Sequence, residues 1–351
     1  MAEPAPPFTH HFITANDGTP LSYYTIGTGP SILLIHGAGS YALTFRDLAV
    51  LLSKHFTVNT MSRRGRGRSG PYPAALTSSE ALAENAPDTL VASTKTYPRV
   101  FPESFCRGII ATDIADIRTV ATATGAEYLL GHSSGAVLTL NYLITYYSPD
   151  SNTSSSEKVP PKVILYEPPL FFSDLALPEF HPLLSREAAA LAKTSPTETL
   201  ITAIKAAHLG PMWFLPRFAL RFLVNKVLGP KQEAEVALRK ERDGEEEGDY
   251  GVCTIIGLAG TIRFDWAVGE GGIGHSDRVK GIREVVRGRV LAIGGDKSVG
   301  YLQQGLDALE RLLGAKKALY KGAGHELVLE RAKGGQPERV VDDVVKFFTE
   351  D

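Results

Sequence analysis

Continuous apolar runs alternate along the chain with stretches whose apolar residues recur at helical spacing. The run Ile32–Ile35 in "SILLIHGAGS" ends abruptly in glycines, as is typical of a strand buried on both faces of a parallel sheet. "TFRDLAVLLSKHF" then has a helical pattern, and "FTVNT" indicates another short strand. This alternation of strand, helix and strand predicts an α/β architecture.

Further elements fit the same scheme. Two β-rich runs in "HHFITANDGTPLSYYTIG" flank Asp17-Gly18, a dipeptide that favours a hairpin turn. "GIIATDIADIRTVATATG" predicts a helix, and short strands are expected at Tyr128–Leu130 and Ala318–Lys321. Residues 71–103 are rich in Ser, Thr, Ala and Pro, and their weak periodicity indicates an excursion that packs loosely or borders a pocket.

The alternation stops between Glu167 and Arg289. Four segments there predict successive helices separated by Gly or Pro: "SREAAALAKTS", "PTETLITAIKAAHLG", "MWFLPRFALRFLVNKVLG" and "KQEAEVALRKERDGEEEGDYG". The run "RKERDGEEEGDYG" within the last segment is expected to be an exposed, charged connector.

Composition narrows the class of protein. The chain has 351 residues, and its 37 basic residues nearly balance 39 acidic ones, whereas a protein that neutralises phosphates usually carries a basic surplus. We therefore expect no nucleic-acid partner. Cys106 and Cys253 lie far apart without metal-type spacing, so neither a disulfide framework nor a metal site is expected. The N-terminus lacks a signal-peptide pattern, and no apolar run approaches the length of a membrane span. These features predict a soluble, cytoplasmic protein without a membrane partner.

The segment "MSRRGRGRSG", residues 61–70, allows three interpretations: a basic hook for nucleic acid, a dinucleotide-binding glycine loop, or a turn of the scaffold. A dinucleotide-binding loop must open a helix, but Pro71 and Pro73 follow directly, so that interpretation fails. A second glycine match, "GEGGIG", follows "FDWAV" rather than a clean buried strand and is weak evidence. Against the balanced overall charge, the arginines are expected to form a solvated loop.

The strongest chemical signal lies in "EYLLGHSSGAVLTLNYLITYY". An apolar strand runs into Gly131-His132-Ser133-Ser134-Gly135 and then into an apolar helix, which is G-x-S-x-G in its required strand–turn–helix setting. The glycines leave room for a sharp turn that presents the Ser133 hydroxyl. Ser133 is therefore the candidate nucleophile, and an ordinary Gly/Ser loop is the alternative.

A serine nucleophile needs a base, and the base needs an acid to fix its tautomer. Of nine histidines, His325 is the candidate base, because "KALYKGAGHELVLE" places it in a glycine-rich loop just past a predicted strand. Asp296, in "RVLAIGGDKSVG", is favoured as the acid over its rival Glu167, in "KVILYEPPL". The alternative is that Asp296 has no catalytic role and is a surface residue of a "GGDKS" turn. The oxyanion hole is expected to use the amides of Ser134 and Ala38, the latter in the loop His36–Gly39.

In their order along residues 10–349, "HGAG", "GHSSG", "GGDKS" and "GAGH" resemble the motifs of α/β-hydrolase-fold proteins. The resemblance implies a mostly parallel eight-stranded sheet flanked by helices, with a helical cap inserted between strands six and seven. The core would span residues 1–169 and 289–351, and the cap residues 170–288. Members often carry a D-x-R-G-x-G-x-S turn after the fourth strand, and here Ser62 stands in place of its aspartate. The arginine-rich stretch then belongs to the scaffold, with the rigidity of the turn in question.

The resemblance also implies where substrate binds. Five aromatics of the cap are candidates for an apolar pocket, although such residues equally serve to hold cap helices together: Trp213, Phe214, Phe218, Phe264 and Trp266. Gly37, His132 and Glu167 are expected beside the same substrate.

The function that follows is a serine hydrolase that cleaves an ester, lactone or thioester of a small apolar molecule. It would act through an acyl-enzyme and need neither cofactor nor metal. Two alternatives stay open: a lyase, cyclase or acyltransferase that uses His325 mainly as acid and base, and a small-molecule receptor of the same fold.

Overall fold

The computed structural model describes residues 7–78, 89–92, 95–98, 101–149, 159–175, 195–206, 213–231, 233–234, 237 and 253–350. Two features predicted for the cap, the helix at 185–195 and the charged connector at 239–251, lie outside the described residues, apart from Ser195.

An eight-stranded sheet forms the centre of the molecule. Its strands are β1 (Thr9–Thr14), β2 (Pro20–Ile26), β3 (Ser31–Ile35), β4 (Thr57–Met61), β7 (Tyr128–His132), β8 (Lys162–Tyr166), β9 (Val290–Gly295) and β10 (Lys316–Tyr320); β5 (Thr89–Ala92) and β6 (Lys95–Pro98) form a separate hairpin. The strand order is β1-β2-β4-β3-β7-β8-β9-β10, and β2 pairs antiparallel with both its neighbours. The remaining pairs are parallel. The predicted mostly parallel eight-stranded sheet is confirmed.

Helices cover both faces of the sheet. They are α1 (Arg46–Leu52), α2 (Ala74–Thr77), α3 (Glu103–Thr124), α4 (Ser134–Tyr147), α5 (Pro196–Ala206), α6 (Arg217–Leu223), α7 (Ile255–Ala259), α8 (Ile262–Gly271), α9 (Ser276–Lys280), α10 (Gly300–Leu313) and α11 (Val341–Thr349). A π-helical turn, Val224–Leu228, continues α6, and short 3-10 turns lie at Ala42–Phe45, Arg331–Lys333 and Pro337–Arg339. One core cluster contains α3, α4 and α10, and the opposite cluster contains α1 and α11.

The central strands, the first hairpin and the helix after Ser133 form where the sequence pattern predicts them. All five residues of β3 are buried between β4 and β7, as the uninterrupted apolar run requires. The hairpin at Asp17-Gly18 is present, and Gly18 has a φ of +85°, in the left-handed region that favours glycine. The short apolar strand and the helix that frame Ser133 also form where predicted.

The region between β8 and β9 contains two kinds of packing. Helices α5, α6 and α7 share a small apolar cluster, which includes Ile201, Leu220 and Ala259. Helix α8 joins this cluster at its first residue and then packs on the main core through Phe264, Ala267 and Val268, and Val279 of α9 lies in the same core. The boundaries 170–288 for a cap stay a prediction, but α8 is anchored to the sheet layer rather than lying free above it.

The expectation of a solvated arginine loop after β4 is wrong. Arg63, Arg64 and Arg66 are buried, because carboxylates carried by helices meet each of them. Arg64, for example, makes a bidentate pair with Asp116 of α3 at 2.7 and 2.9 Å. The turn is also well braced without an aspartate at position 62, since the Ser62 hydroxyl accepts a hydrogen bond from the Ala42 amide at 3.1 Å. Within the described ranges, no helix has the length and apolar character needed to cross a membrane.

Candidate active site

Ser133 lies in a tight turn between β7 and α4, which we call the elbow. Its φ of 54° and ψ of −125° are unusual for a residue with a side chain, and the flanking glycines explain how the turn is tolerated. A Cβ atom on Gly131 would lie 2.6 Å from Cα of Ala136, and one on Gly135 would collide with the carbonyl oxygen of Ile35. Larger residues at these two positions would therefore push the helix away from the strands.

Two residues other than glycine have a positive φ within the described part of the chain, Ser133 and Glu167. They follow adjacent strands, β7 and β8, at the same edge of the sheet. The amide of Ser133 donates a hydrogen bond of 2.8 Å to the carbonyl of Tyr166, which immediately precedes Glu167. Backbone strain is thus concentrated at two neighbouring positions where polar side chains converge, as is common at functional sites.

His325 is paired with Glu167. Nδ1 of His325 lies 2.6 Å from Oε2 of Glu167, whose side chain is fully buried. Since a carboxylate oxygen accepts, Nδ1 carries the proton, and Nε2 is left as a lone-pair nitrogen that can take a proton. The other carboxylate oxygen, Oε1, accepts hydrogen bonds from the Gly295 amide and the Ser298 hydroxyl, both at 2.6 Å.

The expectation that Asp296 would contact His325 is not met. Asp296 is exposed, and its carboxylate accepts a hydrogen bond of 2.6 Å from the Gly322 amide, which braces the turn after β10. It is a surface residue of the "GGDKS" turn. The strands β8 and β9 both end at this edge, so Glu167 and Asp296 are both placed near His325, and the sequence favoured the wrong one of the two as its partner. Glu167 is expected as a substrate contact, but its two carboxylate oxygens already accept hydrogen bonds from His325 and from the residues at and after the end of β9.

His132 supports the loop that carries His325. Its Nε2 lies 3.0 Å from the carbonyl oxygen of His325, to which it donates, and the two rings are 4.6 Å apart. Tyr166 holds the same loop, since its hydroxyl donates to the Gly324 carbonyl at 2.6 Å. Burial, reinforced by the neighbouring His325, holds the pKa of His132 well below its usual value, so the ring is neutral. This geometry gives His132 a structural part; the substrate contact expected of it stays a prediction.

The loop after β3 lies against the elbow. A Cβ on Gly37 would approach the Cβ of Ser133 to 2.7 Å, so a glycine is required there for the loop to come this close. His36 fixes the loop from within: its Nδ1 donates to the Gly37 carbonyl at 2.9 Å, and its Nε2 accepts from the Arg63 amide at 3.1 Å. Ala38 follows in this loop. Ser134 is the first residue of α4, where an amide has no partner within its own helix.

A buried ionic cluster lies behind Ser134. The Ser134 hydroxyl donates to Oδ1 of Asp265 at 2.7 Å, and Arg63 donates to the same oxygen at 2.6 Å. Arg66 pairs with the other oxygen of Asp265 at 2.6 Å, and Arg63 also pairs with Asp113 of α3 at 2.7 Å. Burial by itself raises the pKa of Asp265, but the charges of Arg66 and Arg63 outweigh it and leave the pKa below its ordinary value. Helix α8 is therefore tied through Asp265 to Ser134, the residue that follows Ser133.

The aromatic residues proposed for a pocket divide into separate groups. Phe264 is buried against Tyr72, with ring centres 4.2 Å apart, and belongs to the core. Trp266 is partly buried against the same core. Phe214 and Phe218 are largely exposed, and Trp213 is exposed to a lesser degree. A pocket-lining role for Trp213 and Phe214 stays a prediction.

A cavity of about 700 Å³ lies between α3, α4 and residues 270–278. Its walls include Arg107, Asn141 and Arg278, and neither Ser133 nor His325 lines it. This cavity is therefore separate from the candidate active site.

Comparison with known proteins agrees with this geometry. The sequence profile of the alpha/beta hydrolase family matches residues 32–343. The chain belongs to the alpha/beta hydrolase family.

Three solved structures are similar to this alpha/beta hydrolase at the level of the fold. An alpha/beta hydrolase from Sphaerobacter thermophilus DSM 20745 is 20% identical with a TM-score of 0.56, over 97% of this chain and 100% of that chain. An esterase from Rhodococcus sp. ECU1013 is 17% identical with a TM-score of 0.52, over 97% and 98% of the two chains. An enol-lactonase from Burkholderia xenovorans LB400 is 16% identical with a TM-score of 0.53, over 97% and 100%.

Sequence reasoning missed three contributors to the site. Ser298 stands two residues beyond Asp296 and turns toward Glu167, and a hydroxyl in a turn carries no signal of that kind. Asp265 lies within the amphipathic pattern of α8, where a carboxylate normally faces solvent. Arg63 was noticed for its charge, but its partners lie far along the chain.

Proposed function

We propose that this alpha/beta hydrolase is a serine hydrolase that cleaves an ester, lactone or thioester bond in a small apolar molecule. Ser133 is the nucleophile, His325 the general base and acid, and Glu167 the acid that orients His325. The observation that carries the proposal is the 2.6 Å hydrogen bond between His325 Nδ1 and a fully buried Glu167, beside a serine in a strained elbow.

The chemistry follows from the protonation state that this bond imposes. With its Nδ1 proton directed at Glu167, His325 offers Nε2 as the base that removes the Ser133 hydroxyl proton while Oγ attacks the carbonyl carbon. The imidazolium that forms is stabilised by the carboxylate of Glu167. His325 then returns the proton to the leaving oxygen or sulfur, which leaves an acyl-enzyme on Ser133. A water molecule, deprotonated by His325, attacks the acyl carbon; the bond to Ser133 Oγ breaks, His325 returns the proton to Oγ, and the carboxylic acid leaves.

The oxyanion that forms in both steps needs donors that are in place beforehand. The amides of Ser134 and Ala38 fill this role in the proposal. In its support, Ser134 begins α4, whose N-terminal amides point towards the elbow, and the Ser134 side chain is held by Asp265. The loop that carries Ala38 is held by the two hydrogen bonds of His36.

The similarity to an esterase and an enol-lactonase supports ester-type substrates, at the level of the shared fold. The proposal extends to the apolar character of the substrate through Trp213, in the segment before α6, and Phe214 beside it. Their rings are 6.5 Å apart.

The proposal is tested by labelling with a fluorophosphonate probe, which reacts with an activated serine and needs no knowledge of the substrate. Wild-type protein should be labelled and should hydrolyse short p-nitrophenyl esters. Ser133→Ala should lose both properties, with a fall in turnover of several orders of magnitude. Ser134→Ala serves as the matched control, because it removes the neighbouring hydroxyl and keeps the proposed nucleophile. Equal labelling of wild type and Ser133→Ala would refute the proposal.

A further inference from the structure

One side of the segment from Trp213 to Val227 exposes large apolar side chains. Phe214, Phe218 and Phe222 are 67%, 74% and 66% exposed, and Val227 is 44% exposed. Phe218 and Phe222 are four residues apart in α6, so they follow one another along the same side of the helix, and Phe214 precedes it in the turn that leads into α6. We call Phe218, Phe222 and Val227 the aromatic face. The described residues contain eight exposed large hydrophobics, and five of them, counting Trp213, fall in this one segment.

The helix that carries the aromatic face is itself firmly packed. Leu220 and Val224, on its other side, are fully buried in the cluster formed with α5 and α7. Lys205 of α5 donates to the carbonyls of Trp213 and Leu215, at 3.2 and 2.9 Å, and fixes the approach to the helix. Phe218 and Phe222 therefore form a second apolar side of an anchored helix, and this side faces away from the cluster.

The charged residues within the segment that carries the aromatic face are all basic. Residues 213–231 contain Arg217, Arg221, Lys226 and Lys231 and no acidic residue. Glu198 of α5 pairs with Arg221 at 2.6 Å and approaches Arg217 at 3.6 Å, so it offsets part of this charge. Lys226 and Lys231 are exposed, and the next acidic residue in sequence is Glu233. The segment is thus locally basic in a protein whose overall charge is −2.

Phenylalanine and tryptophan flanked by arginine and lysine are typical of helices that lie in the plane of a membrane interface. Anionic headgroups would complement the basic residues while the rings enter the boundary of the acyl chains. A second copy of the chain fits less well, because a two-fold contact through this face would bring two basic segments together. We propose that the aromatic face docks the protein on an anionic lipid surface.

This docking needs no membrane-spanning helix. It differs from the expectation, based on the lengths of apolar runs, that a membrane is not a partner, because a helix at a membrane interface needs an exposed apolar face flanked by basic residues and no particular length. It also does not depend on the proposed catalytic residues, which lie at the edge of the central sheet.

Flotation with lipid vesicles tests the proposal on the full-length protein. Wild type should float with vesicles that contain roughly one third phosphatidylserine, more weakly with phosphatidylcholine alone, and less as salt is raised. The double variant Phe218→Ser/Phe222→Ser should bind at least about tenfold more weakly, because two rings no longer leave water. Lys226→Gln/Lys231→Gln should remove the preference for phosphatidylserine and keep the residual binding to phosphatidylcholine.

Leu319→Ser is the matched control, since Leu319 is an exposed apolar residue on the edge strand β10. Circular dichroism melts establish that every variant is folded. Wild type that does not float, or a Phe218→Ser/Phe222→Ser variant that floats as wild type does, would overturn the proposal. A wild type that sediments as a dimer, with a Phe218→Ser/Phe222→Ser variant that is monomeric, would assign the face to self-association instead. Ser133→Ala should float like wild type, which separates this result from the test of catalysis.

Discussion

Oε2 of Glu167 lies 2.6 Å from Nδ1 of His325, and Glu167 itself sits in a left-handed backbone conformation with a φ of 44°. The same carboxylate is held by the Gly295 amide and the Ser298 hydroxyl at the end of β9. The position of this carboxylate is therefore set by two strands at once: β8 carries it, and the end of β9 orients it. This arrangement fixes the tautomer of His325, with the proton on Nδ1.

The first prediction concerns Glu167 as the proposed acid. Glu167→Gln should lower kcat on the order of 10⁴-fold, as the loss of a tautomer-fixing carboxylate does in other triads. Asp296→Asn should lower kcat less than about tenfold, because Asp296 is exposed and braces a turn. Steady-state hydrolysis of a p-nitrophenyl ester by both variants provides the measurement. A larger loss for Asp296→Asn than for Glu167→Gln would return the role of the acid to Asp296.

The second prediction concerns the acid stability of the fold. Burial lowers the pKa of both His36 and His132 well below the ordinary value of 6.5, so the folded protein excludes protons that the unfolded chain accepts. For a base with a depressed pKa, the stabilisation is complete above pH 6.5 and is lost as the pH falls below it. The free energy of unfolding should therefore decrease with falling pH, and each excluded proton should contribute up to about 1.4 kcal/mol per pH unit.

This dependence is measured by urea unfolding between pH 7.5 and 5. His132→Asn should reduce the slope against pH by close to one proton relative to wild type, because the variant no longer has that imidazole to protonate on unfolding. His55→Asn, at an exposed position, is the control for the loss of a histidine as such. If wild type and His132→Asn have the same slope, His132 is not a buried neutral histidine.

The third prediction concerns the ionic cluster behind Ser134. Asp265→Ala leaves the buried Arg63 and Arg66 without this carboxylate, and breaking such a pair from one side typically costs about 3–5 kcal/mol in the free energy of unfolding. Asp265→Asn should cost less, since the amide oxygen still accepts a hydrogen bond. Asp277→Ala, which removes an exposed carboxylate from α9, should leave the unfolding midpoint unchanged. An Asp265→Ala variant as stable as wild type would show that the cluster contributes no net stability.

The fourth prediction separates pocket residues from core residues. Phe264→Ala should destabilise the protein by about 3–5 kcal/mol and lower activity on all esters together, because Phe264 is buried against Tyr72. If Trp213 and Phe214 contact the substrate, Trp213→Ala and Phe214→Ala should change kcat/KM unequally across an ester series. A discrimination of ~1–3 kcal/mol is expected for each altered apolar contact. Melting curves are recorded beside the kinetics. Uniform losses that follow a lowered Tm would remove both residues from the pocket.

The sequence by itself determined the architecture and the turn that holds Ser133, the proposed nucleophile, because both depend on contiguous residues. A buried strand, a sharp glycine turn and a helix occupy one short segment around Ser133, and the steric requirements of that turn act between near neighbours in the chain. The placement of His325 in a glycine-rich loop after the last strand is a similarly local pattern.

The tertiary structure decided the questions that involve distant partners. Glu167 and His325 are 158 residues apart, and Arg63 and Asp265 are 202 apart, so no local pattern reports either contact. Glu167 and Asp296 both follow strands that end at one edge of the sheet, and the sequence pattern favoured Asp296. The packing of β8 against β9 decides between them, because it buries Glu167 beside His325 and leaves Asp296 exposed. Phe214 and Phe264 look alike as aromatic residues, but the docking of α6 and α8 leaves one in solvent and the other in the core.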